Sequence, residues 1–409
     1  MRVFLGINRL ELVKIGILVA VAFATAKQSR AQFAYGPGEF LGYEANGIFG
    51  YEIESSGLLS PLSNAPVYIS QTNLWQESAL VDSESKYLYV LEEGSLSASP
   101  IDLRSFSIEK NGLLQETAGS PFAYTSPHGV ASYTLNALSP NNRFMYMIDY
   151  YQTDNGLFLQ GDITPLPIQG NGSVVTAGAK SYRLGFKPFG WVFGPKNNFV
   201  IALDLQQTNL AKLVGMWIAA DGHMSPIQAK ELPLPKVTVT NFLGLGINPA
   251  GTFLYEFYVG TNPQQYLLSI FSVDKNGKFT EIAGSPFSPL PSGYVFSTLS
   301  ITPDGRYAYV ATQQYGTLTV YVFGFAIGTD GEFTPMAGSP AEISISEFSF
   351  VEPVIDRTGR FLFMSGNSFN APRPPTQTVI YQIGSDGSLT SVSGSPQALN
   401  IYVDATAEK

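Results

Sequence analysis

The sequence predicts an all-β protein: a seven-bladed β-propeller of four-stranded antiparallel blades, closed into a ring by its C-terminal strand. Three observations predict it. A turn glycine returns seven times at near-constant spacing, a second turn returns in phase with it, and a strand pattern without a partner in its own repeat is left over at the C-terminus.

The glycine ends a two-residue turn at Ser56-Gly57, Asn111-Gly112, Asn171-Gly172, Asp221-Gly222, Asn276-Gly277, Asp330-Gly331 and Asp386-Gly387, at intervals of 55, 60, 50, 55, 54 and 56 residues. Asn-Gly and Asp-Gly favour tight hairpins because such turns need positive φ. Seven of them in phase, each after an apolar alternation, mark a repeat architecture. The second turn is clearest at Thr302-Pro303-Asp304-Gly305-Arg306-Tyr307. It returns around Pro140 and Pro249, in weaker form around Pro195 and Asp356 to Phe363, and most weakly at Asp82 to Tyr89. A third element, Gly-Ser-Pro, closes several units at Ser120, Ser285, Ser339 and Ser395. Each unit reads as strand A, Pro-x-Gly turn, strand B, a longer loop, strand C, Asn/Asp-Gly turn and strand D, which is one propeller blade. No stretch carries a sustained helical period.

The ends fix the count. The first unit has strand C at Ile48 to Ile53, strand D from Leu59 and strand B at Phe33 to Tyr35, but no strand A upstream. Leu399 to Asp404 follows the last complete unit as an orphan strand, so these residues are expected to pair beside Phe33 to Tyr35 and remove an exposed sheet edge.

Composition agrees with this reading and narrows the function. Charged residues are 13% of the chain, about half the usual share, while Tyr, Phe, Gly and Pro are abundant, as pleated sheets and tight turns require. There is no Cys, which excludes disulfides, thiolate metal sites and thiol nucleophiles. Residues 1–31 read as an export signal, with Arg2, Arg9 and Lys14, an apolar run from Ile15 to Ala26, and small residues before possible cleavage at Ala26 or Ala31. An uncleaved anchor is the alternative, although the run is shorter than the roughly 20 residues a span needs. The expectation is therefore a signal over 1–31 and one propeller over 32–409, secreted or periplasmic, with no membrane span after the signal is removed. Removal leaves 18 basic and 31 acidic residues, a net charge of −13, which excludes nucleic acid and anionic membranes as partners.

Candidate chemistry gathers where the B–C and D–A loops share one face. Counting strand B from its turn puts Glu92, Asp149 and Asp204 in one column at the start of the B–C loop, near the rim of the channel mouth; Tyr258, Thr312 and Gly366 continue it. His128 falls in the D–A loop before blade three, with general base or proton donor as its chemical use. Arg183 and Lys187 fall in the next D–A loop, where a cation would stabilise an oxyanion or bind a carboxylate. Glu352 lies in strand A of blade seven, facing the channel, and His223 follows a C–D turn on the opposite face, exposed to solvent. Each of these residues also has a plainer reading as a loop charge or a packing group. No metal or cofactor motif is present, so none is expected; oxygen ligation of Ca²⁺ or Mg²⁺ by the three rim carboxylates is the alternative.

The Gly-Ser-Pro-Phe endings, the Pro-Asp/Asn-Gly-Arg-aromatic turns and the Asp/Asn-Gly hairpins resemble the seven-bladed lactonase-type propellers, which include 6-phosphogluconolactonases and carboxymuconate-lactonising enzymes. The resemblance covers about residues 33–409. It implies a site at the mouth with Pro127-His128 as the matching element. The Gly-Pro-Arg-His/Ala element of catalytic members is replaced by Phe186 to Gly190 and Thr240 to Gly244, and Glu256 stands two positions before the column in which their glutamate would fall. Two functions follow: hydrolysis of an unphosphorylated lactone at the mouth, or non-catalytic binding of a glycan, peptide or surface partner there.

Overall fold

The computed structural model describes residues 30–409, except 38–46, 64–66, 69–74, 94–100, 128–133, 153–158, 187, 208–209, 232–240, 262–263, 315–318, 344–352, 367–376, 400–402 and 404. The described residues form seven antiparallel sheets and no helix. Each sheet holds strands A to D in order, and four of them carry a further short strand on strand C. The A strands of successive blades lie against one another and so form the inner ring.

The ring closes as expected, but with a different stretch of chain. Ala405–Glu408 is strand A of blade one and pairs with strand B, Gln32–Pro37, from Gln32↔Glu408 to Tyr35↔Ala405. Of the predicted stretch, 400–402 and 404 lie outside the described residues, while Leu399 and Val403 pack in the core between blades seven and one. The apolar pattern of that stretch belongs to a wedge between blades. The strand itself is Ala-Thr-Ala-Glu, with small side chains suited to the innermost position, and it gives no hydrophobic signal.

The core is divided among the seven blade interfaces. One cluster fills each, from Phe33, Tyr35, Leu88 and Val90 between blades one and two to Ala34, Tyr51, Phe361 and Phe363 between blades seven and one. Alternate residues of a strand face opposite neighbours, so both faces are buried. Strand B therefore reads as an unbroken apolar run; Phe144 to Ile148 are all buried.

The repeated turns dock one blade on the next. A Cβ at Gly112 would sit 2.2 Å from the Phe33 ring, and its φ is +79°. The turn glycine of each blade meets the first aromatic residue of strand B in the preceding one: Gly57 on Phe361, Gly172 on Tyr87, Gly222 on Phe144, Gly277 on Phe199, Gly331 on Phe253 and Gly387 on Tyr307. The glycines are thus needed for contact as well as for turn geometry. In each Gly-Ser-Pro element the serine hydroxyl accepts from a strand C amide: Ser120 from Ser105, Ser285 from Ile270, Ser339 from Gly324 and Ser395 from Ile380, at 2.8 to 3.2 Å.

Blade one has no A–B turn, because its strand A, Ala405–Glu408, and its strand B, Gln32–Pro37, are not consecutive in the chain. In blades three to six the second turn residue is proline, and Pro195, Pro249 and Pro303 pack against Gly251, Gly305 and Gly359 of the following turns. Blade seven has Arg357 there. Its guanidinium reaches across the closing strand, donating to the carbonyls of Thr406 (2.8 Å), Ser83 (2.9 Å), Val81 (3.2 Å) and Asp82 (2.7 Å). It ties blade seven to blades one and two where no turn can.

Candidate functional site

The carboxylate column exists, but it is interior. Glu92, Asp149 and Asp204 lie within strands Tyr87–Glu93, Phe144–Gln152 and Phe199–Gln207, near their B–C ends, and each is at most 1% exposed. They are not rim charges. The alternation that turns Val90, Met147 and Ala202 toward the preceding blade turns these acids the same way, so each enters a separate cleft: one/two, two/three and three/four. Among the described residues no three acids or histidines are grouped closely enough to hold a metal ion, so the column does not converge on one cation.

Each acid has a partner on strand C. Glu92 stands opposite Asp102, Asp149 opposite Asp162, and Asp204 opposite Lys212. Further round, the same level holds Tyr258 with Leu267, Thr312 with Tyr321, and Gly366 with Gln377. On strands B and C this level is therefore charged over blades two to four and uncharged over blades five to seven, while Glu342 stands opposite Tyr321 on the outer strand of blade six.

The three acids differ in surroundings. Glu92 Oε2 accepts from Arg104 Nε at 3.0 Å, and Arg104 Nη1 reaches Glu116 Oε1 at 2.7 Å. Glu92 Oε1 is buried and accepts no hydrogen bond among the described residues. Burial pushes the Glu92 carboxyl up to about 7, against the pull of Arg104. Asp149 Oδ2 accepts a short hydrogen bond from the Tyr124 hydroxyl, which also meets Thr164 Oγ1 at 2.9 Å. Burial first, and then the Asp149 charge, raise the Tyr124 hydroxyl far above its ordinary value, so it remains a neutral donor. Glu256 is fully buried and sits opposite Ser269, two residues before Tyr258.

The other candidates fare differently. His128, Lys187 and Glu352 lie outside the described residues. Arg183 is not in a loop: it belongs to strand D of blade three, Tyr182–Arg183, exposed and opposite Asp162 in the row Thr134–Asp149–Asp162–Arg183. Strands lie about 4.8 Å apart, so Arg183 sits on the outer wall, roughly 10 Å from Asp149. His223 is on the face opposite the acids, as its C–D turn requires, but it is half-buried. It meets the Tyr182 ring edge-on at 4.2 Å between centroids, because the turn of blade four packs against strand D of blade three.

Sequence reasoning missed Arg104, Tyr124, Asp162, Thr164 and Lys212. A counting rule would have found two of them. Ten residues before the turn glycine of blades two to seven stands the strand C partner of the column, namely Asp102, Asp162, Lys212, Leu267, Tyr321 and Gln377.

No family model and no curated protein sequence matches the chain. Solved structures do. A Bacteroides uniformis protein assigned only provisionally as a 6-phosphogluconolactonase is 16% identical, with a TM-score of 0.62 over 93% of this chain and 99% of that one. The periplasmic gluconolactonase of Pseudomonas aeruginosa has the same identity, TM-score and coverage. A Lactobacillus plantarum protein is 13% identical, with a TM-score of 0.61 and the same coverage. At such identities the likeness is one of fold: this chain has the seven-bladed propeller architecture of the lactonase-type structures, from its first blade to its closing strand.

Proposed function

We propose that the protein opens the ring of an unphosphorylated lactone at the mouth formed by the B–C and D–A loops. The observation that carries this reading is the row of Glu92, Asp149 and Asp204 at one level of three consecutive blades, with Glu92 held near neutrality by burial. A carboxyl group that titrates near 7 can act as base and then as acid at neutral pH; Glu92 lies inside the cleft between blades one and two, so its exchange with a water attacking at the mouth would pass across that cleft. The water oxygen bonds to the lactone carbonyl carbon, the ring C–O bond breaks, and a hydroxy acid leaves. Strands B and C of blades five to seven carry no charge at this level, which suits the less polar side of such a ring, and the acids disfavour a phosphorylated one.

The test is a pH-stat assay of the purified protein against a panel of unphosphorylated γ- and δ-lactones. Turnover that falls at least tenfold in Glu92→Gln, Asp149→Asn or Asp204→Asn supports the reading. No turnover, with a glycan or peptide bound instead, favours the non-catalytic alternative, to which the exposed outer position of Arg183 already lends weight.

Export belongs to the same proposal. Its support is the charge, apolar run and small-residue order of residues 1–31. Of the two cleavage sites, Ala26 suits the fold better: the Ala31 carbonyl accepts from Lys409 N at 2.8 Å, and a cut after Ala31 would remove that acceptor from the closing seam. The intact mass of exported protein is expected to match a chain beginning at Lys27. A start at Gln32 refutes the choice of site, and a start at Met1 refutes export.

A further inference from the structure

A chain of hydroxyls leaves Asp149 in the direction away from the mouth. Tyr124 OH donates to Asp149 Oδ2 and lies 2.9 Å from Thr164 Oγ1, which lies 2.7 Å from Ser181 Oγ. Asp149, Tyr124 and Thr164 are buried, and Ser181 is exposed. Each hydroxyl has one proton, and this fixes the direction. Tyr124 gives its proton to Asp149, so Thr164 must donate to Tyr124 and Ser181 to Thr164. Every link can both donate and accept, and every link comes from a different stretch of chain: strand B of blade three, the edge strand Phe122–Tyr124 of blade two, strand C of blade three, and the segment leading into Tyr182–Arg183.

We propose that Tyr124, Thr164 and Ser181 form a radial proton path joining buried Asp149 to solvent at the outer wall. A proton delivered by water to Ser181 Oγ releases the proton of that hydroxyl to Thr164; Thr164 releases its own to Tyr124, and Tyr124 releases its own to Asp149 Oδ2. One proton enters from water, one arrives on the carboxylate, each hydroxyl is regenerated, and nothing is oxidised or reduced. Asp149 then exchanges protons while the mouth is occupied, whatever occupies it, so the inference does not depend on the lactone reading.

The test is time-resolved infrared spectroscopy after a pH jump, with the Asp149 carboxyl band assigned by its loss in Asp149→Asn. Thr164→Val keeps the volume, breaks the path and does not touch Asp149. It is expected to slow protonation by about tenfold or more with the midpoint unchanged, because exchange must then wait for local opening. Thr164→Ser restores the rate. If Thr164→Val does not fold, Tyr124→Phe serves in its place and slows the same step. Wild-type rates in the broken-path variant overturn the proposal, as does an Asp149 band that never protonates over roughly pH 3 to 9.

Discussion

Arg357→Ala removes a side chain that joins blade seven to both blade one and blade two across the closing strand. Four carbonyls lose a charged donor. A hydrogen bond contributes about 1 kcal/mol net, and water recovers part of this at the exposed Ser83 carbonyl, so the loss is about 2–3 kcal/mol. Burial lowers the Arg357 pKa, which means that the guanidinium is itself held at a cost; this keeps the figure well below the sum for four strong bonds. A domain of this size has an unfolding entropy of roughly 0.8 kcal/mol per kelvin, so Tm should fall by about 3 °C. Calorimetry gives the size, and amide hydrogen exchange gives the place: Glu408 N, which donates to Ser85 Oγ at 3.0 Å, and Lys409 N should lose protection before the strands of blades four and five. Arg306→Ala, which removes an exposed pair with Asp304, is the control and should leave Tm unchanged. An Arg357→Ala protein with wild-type Tm and wild-type protection at the C-terminus refutes the seam argument.

Two further outcomes follow from the same geometry. Gly112→Ala meets both a φ of +79° and the Phe33 ring, so chemical denaturation should give a loss of about 2–4 kcal/mol; a loss below 1 kcal/mol would mean that the turn shifts freely. Glu92 has a folded pKa of about 7, above its unfolded value of 4.5, so the folded protein binds more protons between those values and stability falls as pH rises from about 4.5 to 7. Urea titrations should find this slope, at most about 3 kcal/mol in all, flattened in Glu92→Gln; parallel pH profiles in the two proteins would contradict the burial argument.

The fold was legible because its punctuation is chemical. Seven turn glycines each need positive φ, and each also lies against an aromatic ring of the neighbouring blade, so the spacing survives where the strands between diverge. The closing strand was misplaced by a few residues for the opposite reason: Ala405 to Glu408 sits where small side chains fit, and Leu399 and Val403 are apolar because they wedge blades together. The column of Glu92, Asp149 and Asp204 was legible from strand B counting alone. Its burial was not, because a charge at a strand end reads as a loop charge until the neighbouring blade is in place. Arg104 and Tyr124 act across a sheet and across a blade interface, which a linear pattern does not carry. The partial burial of His223 is not legible because Tyr182 lies 41 positions earlier in the chain and packs against it only through the blade interface.

The most direct test of the central claim, that the end of the ring nearest Glu92, Asp149 and Asp204 is the working end, is a crystal structure with a lactam analogue of a turned-over lactone. The analogue is expected at the B–C and D–A end, its carbonyl toward Glu92, Asp149 or Asp204 and its less polar side toward Tyr258 and Thr312. Density on the opposite face beside His223, or an analogue that inhibits without occupying either end of the channel, would contradict it.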